Sequence, residues 1–254
     1  MNDARGTTGD MLRSVFPDGV RVSSWDELLA AGRDEDAAIE NLWPAEAEAS
    51  ATYAPRRRAE YASVRDCARE ALRGEGIEPA AIVKGQRGAP MFPPNVVGAM
   101  THTDGLRAAA IARQERFRSL GVDAEPHEGL PPGVLDAVSL PSERDWVRAV
   151  LAGEPQLRVD KLLFSAKEAT YKAWFPLTRR WLGFEDAELS FDTEDISRTA
   201  TGIRARGTFV SRILIAPDVI DGGTPLRALS GHWAIDSGFV VAAIAVEQPA
   251  PVRL

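Results

Sequence analysis

The chain has 254 residues, with 37 Asp and Glu against 30 Lys and Arg, a formal net charge of −7. An acidic chain of this kind is not built to lie along nucleic acid or an anionic membrane surface, and 44% hydrophobic residues suffice for one large domain or two small halves. The charge is uneven: residues 1–50 hold 11 acids and 4 bases and carry all of it, while the other 26 acids and 26 bases cancel. Residues 51–100 are locally basic, with 8 bases and 5 acids. The single cysteine, Cys67, leaves no internal disulfide and suits a reducing compartment. The start, MNDARGTTGD, lacks the form of a secretory signal, and the longest apolar run, Phe239 to Val246, is far too short to span a bilayer. A soluble cytoplasmic protein is expected. Only 4 residues are lysines, Lys84, Lys161, Lys167 and Lys172, and three of these share one 12-residue window.

Residues 1–20 read as frayed, with Gly, Thr and Asp and no period. Trp25 to Ala31 and Ile39 to Ala51 read as short helices around an acidic turn, GRDED. Arg56 to Arg73 is a stronger helix: Tyr61, Val64, Ala68 and Leu72 form one apolar stripe, Arg58, Arg65 and Arg69 a second, basic one, and Gly74 and Gly76 end it. Ala81 to Lys84 reads as a short strand, followed by the turn-rich GQRGAPMFPPN. Val96 to Met100, a turn at Thr103-Asp104-Gly105 and Leu106 to Ala112 read as a β-hairpin. Leu120 to Glu125 reads as a strand, since the residue before Pro126 is pushed to extended geometry. The Pro-rich segment 126–160 contains an expected helix at Ser142 to Leu151. Ser165 to Phe175 is expected as a helix that stops before Pro176. Glu188 to Phe191, Gly202 to Phe209, Arg212 to Ala216, His232 to Ile235 and Phe239 to Glu247 read as strands. The run from Thr103 to Ala112 aligns without gaps on Asp236 to Ala245; shared hairpin chemistry accounts for this echo, and a duplicated α+β unit is the alternative.

Four constellations could carry chemistry. Asp123 and Glu125, two apart on a strand, project to one face, where like charges repel unless a cation lies between them. A hard cation such as Mg²⁺ takes one or two carboxylates and completes its shell with water and phosphate oxygens. A solvated strand face would leave the same pattern. In the helix from Phe164 to Trp174, Ser165 and Glu168 fit a capping box and Glu168 and Lys172 an i, i+4 pair, while Lys167 and the bulky Tyr171, Trp174 and Phe175 are left unexplained. Thr101-His102-Thr103 at a strand end suits phosphate oxygens. Arg56-Arg57-Arg58 with Arg65, Lys84 and Arg87 makes the positive patch. Singly these patterns are weak; together they describe a site for a polyphosphate and Mg²⁺.

These segments resemble the 4′-phosphopantetheinyl transferases. Gly121-Val122-Asp123-Ala124-Glu125 and Phe164-Ser165-Ala166-Lys167-Glu168-Ala169-Thr170-Tyr171-Lys172-Ala173-Trp174 are similar to the two signatures of that superfamily, and Thr101-His102 after Gly88-Ala89-Pro90 is similar to the upstream one. The basic helix around Arg57 and Arg65 and the loop Lys84-Gly85-Gln86-Arg87 resemble the enterobactin-type and surfactin-type branch, which includes actinobacterial enzymes. The likeness covers roughly residues 50–247. It implies an α+β fold of two similar halves in a pseudo-twofold arrangement, each a small antiparallel sheet with packed helices, with the active site in the cleft between them. The expected division is a flexible 1–20, a first half at 21–118 with the CoA-binding helix and the His strand, a second half at 119–247 with the metal site and the Lys-Glu helix, and a tail at 248–254.

The resemblance also implies the reaction: the 4′-phosphopantetheine arm of coenzyme A moves to a serine of an apo acyl or peptidyl carrier protein, and adenosine 3′,5′-bisphosphate is released. Asp123, Glu125 and Glu168 would be the ligands of Mg²⁺, with Mn²⁺ as an alternative. Glu168 would also be the base, with Lys167 and His102 completing the catalytic set. Arg57, Arg65, Lys84, Arg87, Thr101, His102, Lys167 and Lys172 would hold coenzyme A. Ala124 lacks the acid some relatives carry there, so water is expected in that coordination position. Coenzyme A and carrier proteins are the expected partners of a monomer, with no nucleic acid and no membrane.

Overall fold

The computed structural model describes residues 7–199 and 202–249. Its elements run α1 (Thr8–Ser14), β1 (Arg21–Ser24), α2 (Trp25–Ala30), α3 (Glu35–Glu40), α4 (Pro44–Ala49), α5 (Pro55–Gly74), β2 (Val96–Thr103), β3 (Leu106–Arg113), β4 (Phe117–Pro126), α6 (Val134–Val138), α7 (Pro141–Gly153), α8 (Val159–Thr178), β5 (Ala187–Thr199), β6 (Gly202–Ile213), β7 (Ala228–Asp236) and β8 (Phe239–Glu247). Two antiparallel sheets result, one of three strands in the order β1-β3-β2 and one of five in the order β4-β8-β7-β6-β5. This is the expected α+β architecture, and each sheet carries one helix of 20 residues, α5 on the first and α8 on the second.

Three apolar clusters hold it together. One packs α8 on the five-stranded sheet, one packs α2, α3 and α5 on β3, and the third is shared. In that shared core Val22, Ala108 and Ala110 of the first sheet meet Leu120, Val122, Ala124, Val241 and Ala243 of the second. β2 lies against β4, and the Ala124 N–H donates to Thr101 Oγ1 at 3.0 Å across the junction. The echo between hairpins has a structural counterpart: Thr103 pairs with Leu106 and Asp236 with Phe239, each across a two-residue loop.

Several local expectations are corrected. Within 1–20, residues 8–14 form a helix with a Thr7–Asp10 capping box and buried Met11 and Leu12; residues 1–6 and the last residues of the tail, 250–254, lie outside the described residues. The acidic turn GRDED is half helix, because the Asp34 side chain caps α3, and the single short helix expected at Ile39 to Ala51 divides before Pro44, which starts α4 at its first position. Ala81 to Lys84 forms no strand beyond an isolated bridge between Lys84 and Pro90. Gly202 to Phe209 and Arg212 to Ala216 are mostly one strand, β6, ending at Ile213. α8 begins six residues before Ser165 and runs through Pro176, which has no N–H for the carbonyl of Lys172 but stands only two residues from the helix end.

Candidate active site

A cleft of about 610 Å³ opens between the two sheets. α5, the loop 84–92 and β2 form one wall, and α8 forms the other. On α5 the lining positions are Arg57, Glu60, Tyr61, Val64 and Arg65, and on α8 they are Glu168, Tyr171, Lys172, Phe175, Pro176 and Arg179. Each set follows the i, i+3, i+4, i+7 spacing of one helix face. β4 lies directly behind α8, an approach that Gly121 permits: a Cβ there would drive into the Ala169 carbonyl oxygen and come within 2.8 Å of the Ala173 nitrogen.

Most of the expected site residues meet here. Arg57 ion-pairs with Glu60 at 3.2 Å and contacts His102 Nε2. Burial and the neighbouring Arg57 push the His102 imidazole down to about 4, so the ring is neutral at pH 7 and accepts from the guanidinium. Lys84 donates to the Tyr53 hydroxyl at 2.7 Å, which holds that phenol below its usual value. Arg87, in a left-handed conformation with φ 53°, reaches across to the Trp181 ring, 5.4 Å from its centroid. Lys172 Nζ donates to Asp123 Oδ1 at 2.7 Å and to the Val122 carbonyl at 3.0 Å, in place of the helical pair expected with Glu168.

The three carboxylates share a neighbourhood. Burial raises the proton affinity of Glu168, and the charge of Asp123 adds to it; Glu125 is raised for the same two reasons. Glu125 accepts from Lys161 Nζ at 3.3 Å. Asp123 Oδ2 is buried without a partner among the described residues. No three His, Cys, Asp or Glu side chains among the described residues converge tightly enough to hold an ion as they stand, and Lys172 and Lys161 sit against two of the acids. The donor set itself fits a hard cation: three carboxylates, one orphaned buried oxygen and mutual repulsion that a divalent charge would relieve. Ala124 points the other way, into the shared core, so the residue between the two acids faces no coordination position.

Three expected site residues stand apart or partly apart. Thr101 is buried, and its hydroxyl is the acceptor for Ala124 rather than a cleft group. Neighbours on a strand face opposite ways, so Thr101 and His102 do not both meet the same ligand. Lys167 points away from the cleft: its ammonium pairs with buried Glu143 at 2.8 Å and donates to the carbonyls of Phe184 at 2.6 Å and Ala187 at 2.9 Å. Ser165 is inside α8 instead of capping it, and its hydroxyl donates to the Asp123 carbonyl at 3.1 Å. Arg65 lines the cleft but is buried, with Nε donating to the Ile82 carbonyl at 2.7 Å and Nη1 to Tyr61 at 3.1 Å; burial lowers its guanidinium to about 10. The basic stripe of Arg58, Arg65 and Arg69 is not a solvated face, since Arg65 and Arg69 are both buried.

Sequence reasoning missed Arg179, Glu60 and Lys161. Arg179 is the left-handed cap of α8, and its spacing from Glu168, i+11, is the signal that identifies it once α8 is known to pass Pro176. Trp181, 57% exposed, packs on Tyr171 with ring centroids 5.0 Å apart and the rings tilted by 56°, and completes an aromatic wall with Phe175.

Family models match both halves: the 4′-phosphopantetheinyl transferase N-terminal domain at residues 45–112, and the 4′-phosphopantetheinyl transferase superfamily at residues 119–216. The chain is 48% identical over 235 residues to 4′-phosphopantetheinyl transferase Npt of Nocardia iowensis, covering 92% of this chain and 99% of the relative. It is 46% identical over 239 residues to 4′-phosphopantetheinyl transferase PptT of Mycobacterium tuberculosis, covering 94% and 99%. It is also 46% identical over 215 residues to 4′-phosphopantetheinyl transferase Svp of Streptomyces mobaraensis, covering 85% and 82%. With both halves matched and such likeness along nearly the whole length, this chain belongs to the 4′-phosphopantetheinyl transferase superfamily and is an enzyme of that type.

Proposed function

We propose that the enzyme takes the 4′-phosphopantetheine arm from coenzyme A, places it on a serine of an apo acyl or peptidyl carrier protein, requires Mg²⁺ or Mn²⁺, and releases adenosine 3′,5′-bisphosphate. One observation carries this reading: the cleft gathers Arg57, Lys84, Arg87, Lys172 and Arg179 around a carboxylate of raised proton affinity, Glu168, in a chain whose net charge is −7. A cleft whose lining cations outnumber its carboxylates, Glu60 and Glu168, concentrates an anion such as coenzyme A whatever the total charge of the chain.

The arginines suit the phosphates as planar forks and the lysines as point charges. Tyr171, Phe175 and Trp181 offer an apolar wall for the pantetheine arm. Glu168, which has no direct lysine partner among the described residues, would take the proton of the carrier serine. The serine oxygen then bonds to the phosphorus that carries the pantetheine, the bridging P–O bond breaks, and the electron pair leaves on the adenosine bisphosphate. Asp123, Glu125 and Glu168 would hold the metal ion, which when bound neutralises charge on the pyrophosphate. Both cleft walls come from one chain, which supports action as a monomer. Among the described residues no helix is long and apolar enough to cross a membrane.

The test is an incubation of the purified enzyme with coenzyme A, Mg²⁺ and a panel of apo carrier proteins, read by mass spectrometry. The expected result is one phosphopantetheine added per carrier, lost on chelation and restored by Mg²⁺ or Mn²⁺. Release of adenosine bisphosphate without any carrier would make the enzyme a hydrolase and overturn this reading.

A further inference from the structure

The acidic first 50 residues contain one carboxylate unlike the others. Glu46, on α4, is 0% exposed, and both its oxygens are engaged. Oε1 accepts the Ile82 N–H at 2.7 Å, and Oε2 accepts the Trp43 N–H at 3.1 Å. Arg69 Nη1 donates to both, at 3.2 and 2.9 Å. Arg65 Nε lies 3.9 Å from Oε1 and donates to the Ile82 carbonyl at 2.7 Å. The backbone of Ile82 is thus gripped from two sides, its N–H by a carboxylate and its carbonyl by a guanidinium.

That grip sits at the root of the loop that furnishes Lys84 and Arg87. The loop belongs to no sheet. Its own ties are the Met91 N–H to the Val83 carbonyl at 2.9 Å and the Gly85 N–H to the Ala89 carbonyl at 2.7 Å. Those bonds shape the loop but do not fix it to the body. Its side-chain ties to the body are Lys84 on the Tyr53 hydroxyl, Arg87 over Trp181 and Phe92 against the α5 core; its backbone is anchored at Ile82, whose side chain is buried against α5 and whose N–H and carbonyl are held by Glu46 and Arg65.

We propose that Glu46, a residue that does not line the cleft, is a positioning residue for coenzyme A: with Arg65 and Arg69 it clamps the Ile82 backbone and so sets where Lys84 and Arg87 present their charges. The proposal rests on coenzyme A being the ligand of this cleft. It gives Arg65 a second role beside any contact with phosphate, since one guanidinium both borders the cleft and holds the loop root.

Two substitutions separate charge from reach. Glu46→Gln keeps the shape and loses the charge, and Glu46→Asp keeps the charge and withdraws it from Ile82. In folded enzyme, both are expected to raise KM for coenzyme A about fivefold or more with kcat within about twofold, because ground-state binding is lost and the chemistry is untouched. A merely structural role would lower the active fraction, and so the apparent kcat, at unchanged KM; that result overturns the proposal. Hydrogen exchange on the wild-type enzyme needs no variant: the Ile82 amide is expected to exchange slowly although it lies outside any strand, and exchange at the rate of exposed loop amides would overturn the clamp. A wild-type enzyme that neither binds nor uses coenzyme A would instead remove the functional reading and leave a protected Ile82 amide standing.

Discussion

Glu168 and Lys167 are adjacent in sequence, yet they serve opposite sides of α8. Successive helical residues point about 100° apart, so one turns to the cleft with Tyr171, Lys172 and Phe175 and the other turns to Glu143. Glu168→Gln is expected to lower the transfer rate about 100-fold or more while coenzyme A still binds, measured as single-turnover transfer beside equilibrium binding. Retention of the wild-type rate would take the base assignment from Glu168. His102 gives a pH prediction. Its imidazole sits near 4 in the folded enzyme against an ordinary 6.5, so between these values the unfolded chain binds more protons than the folded one. Its contribution is complete at pH 7 and is lost as pH falls toward 4. Urea unfolding at pH 7 and pH 5 should therefore show a smaller loss in His102→Gln than in the wild type; equal losses would assign the effect to other groups. The acidic pair and the Lys-Glu helix were legible in the sequence because period 2 and period 3.6 fix faces. The departure of Thr101 and Lys167 was legible by the same rule, once their neighbours His102 and Glu168 are given to the cleft.

At the scale of elements, the decisive contact is β4 against α8, which brings Asp123 and Glu125 behind Lys172. Gly121 makes it possible. Gly121→Ala would press a methyl against backbone that has no rotamer to change, so the helix itself must move. Overpacking of a core costs about 1–3 kcal/mol, and a backbone clash belongs at the upper end. A lower melting temperature together with loss of transfer is expected; a stable, active Gly121→Ala enzyme would show that β4 and α8 separate easily. Sequence patterns located most strands but mistook both ends of α8. Its start at Val159 lacks a side-chain cap, so Ser165 drew attention instead, and Pro176 resembled a stop because proline breaks helix interiors far more than last turns. The clamp at Ile82 was invisible, since it joins residues 36 apart through backbone atoms that no side-chain pattern reports.

For the whole molecule, the uneven charge becomes an arrangement in space. In the acidic N-terminal stretch the small helices α2 and α3 pack over α5 and β3, while cations gather in the cleft. The shared core and the Thr101–Ala124 bond join the halves, so the cleft is held at a set width rather than hinged on a linker. A carrier protein with an acidic docking face would meet basic residues outside the cleft, and α7 offers Arg148, two-thirds exposed with only a loose 3.7 Å pairing to Asp145. Arg148→Glu is expected to raise KM for carrier protein several-fold at low salt, with KM for coenzyme A unchanged, an effect that fades as salt screens it. An unaltered carrier KM would move the docking surface away from α7.

Cys67 adds a chemical consequence. The substrate proposed here ends in a free thiol, and free thiols exchange with any protein thiolate they can reach. The one cysteine of this chain is wholly buried in α5, and burial drives its proton affinity up, so it offers neither access nor a nucleophile. The enzyme should therefore neither be capped by coenzyme A disulfide nor depend on added reductant. Preincubation with oxidised coenzyme A, followed by intact-mass measurement and assay, is expected to leave both mass and activity as they were; a mass gain of one coenzyme A would show that α5 opens.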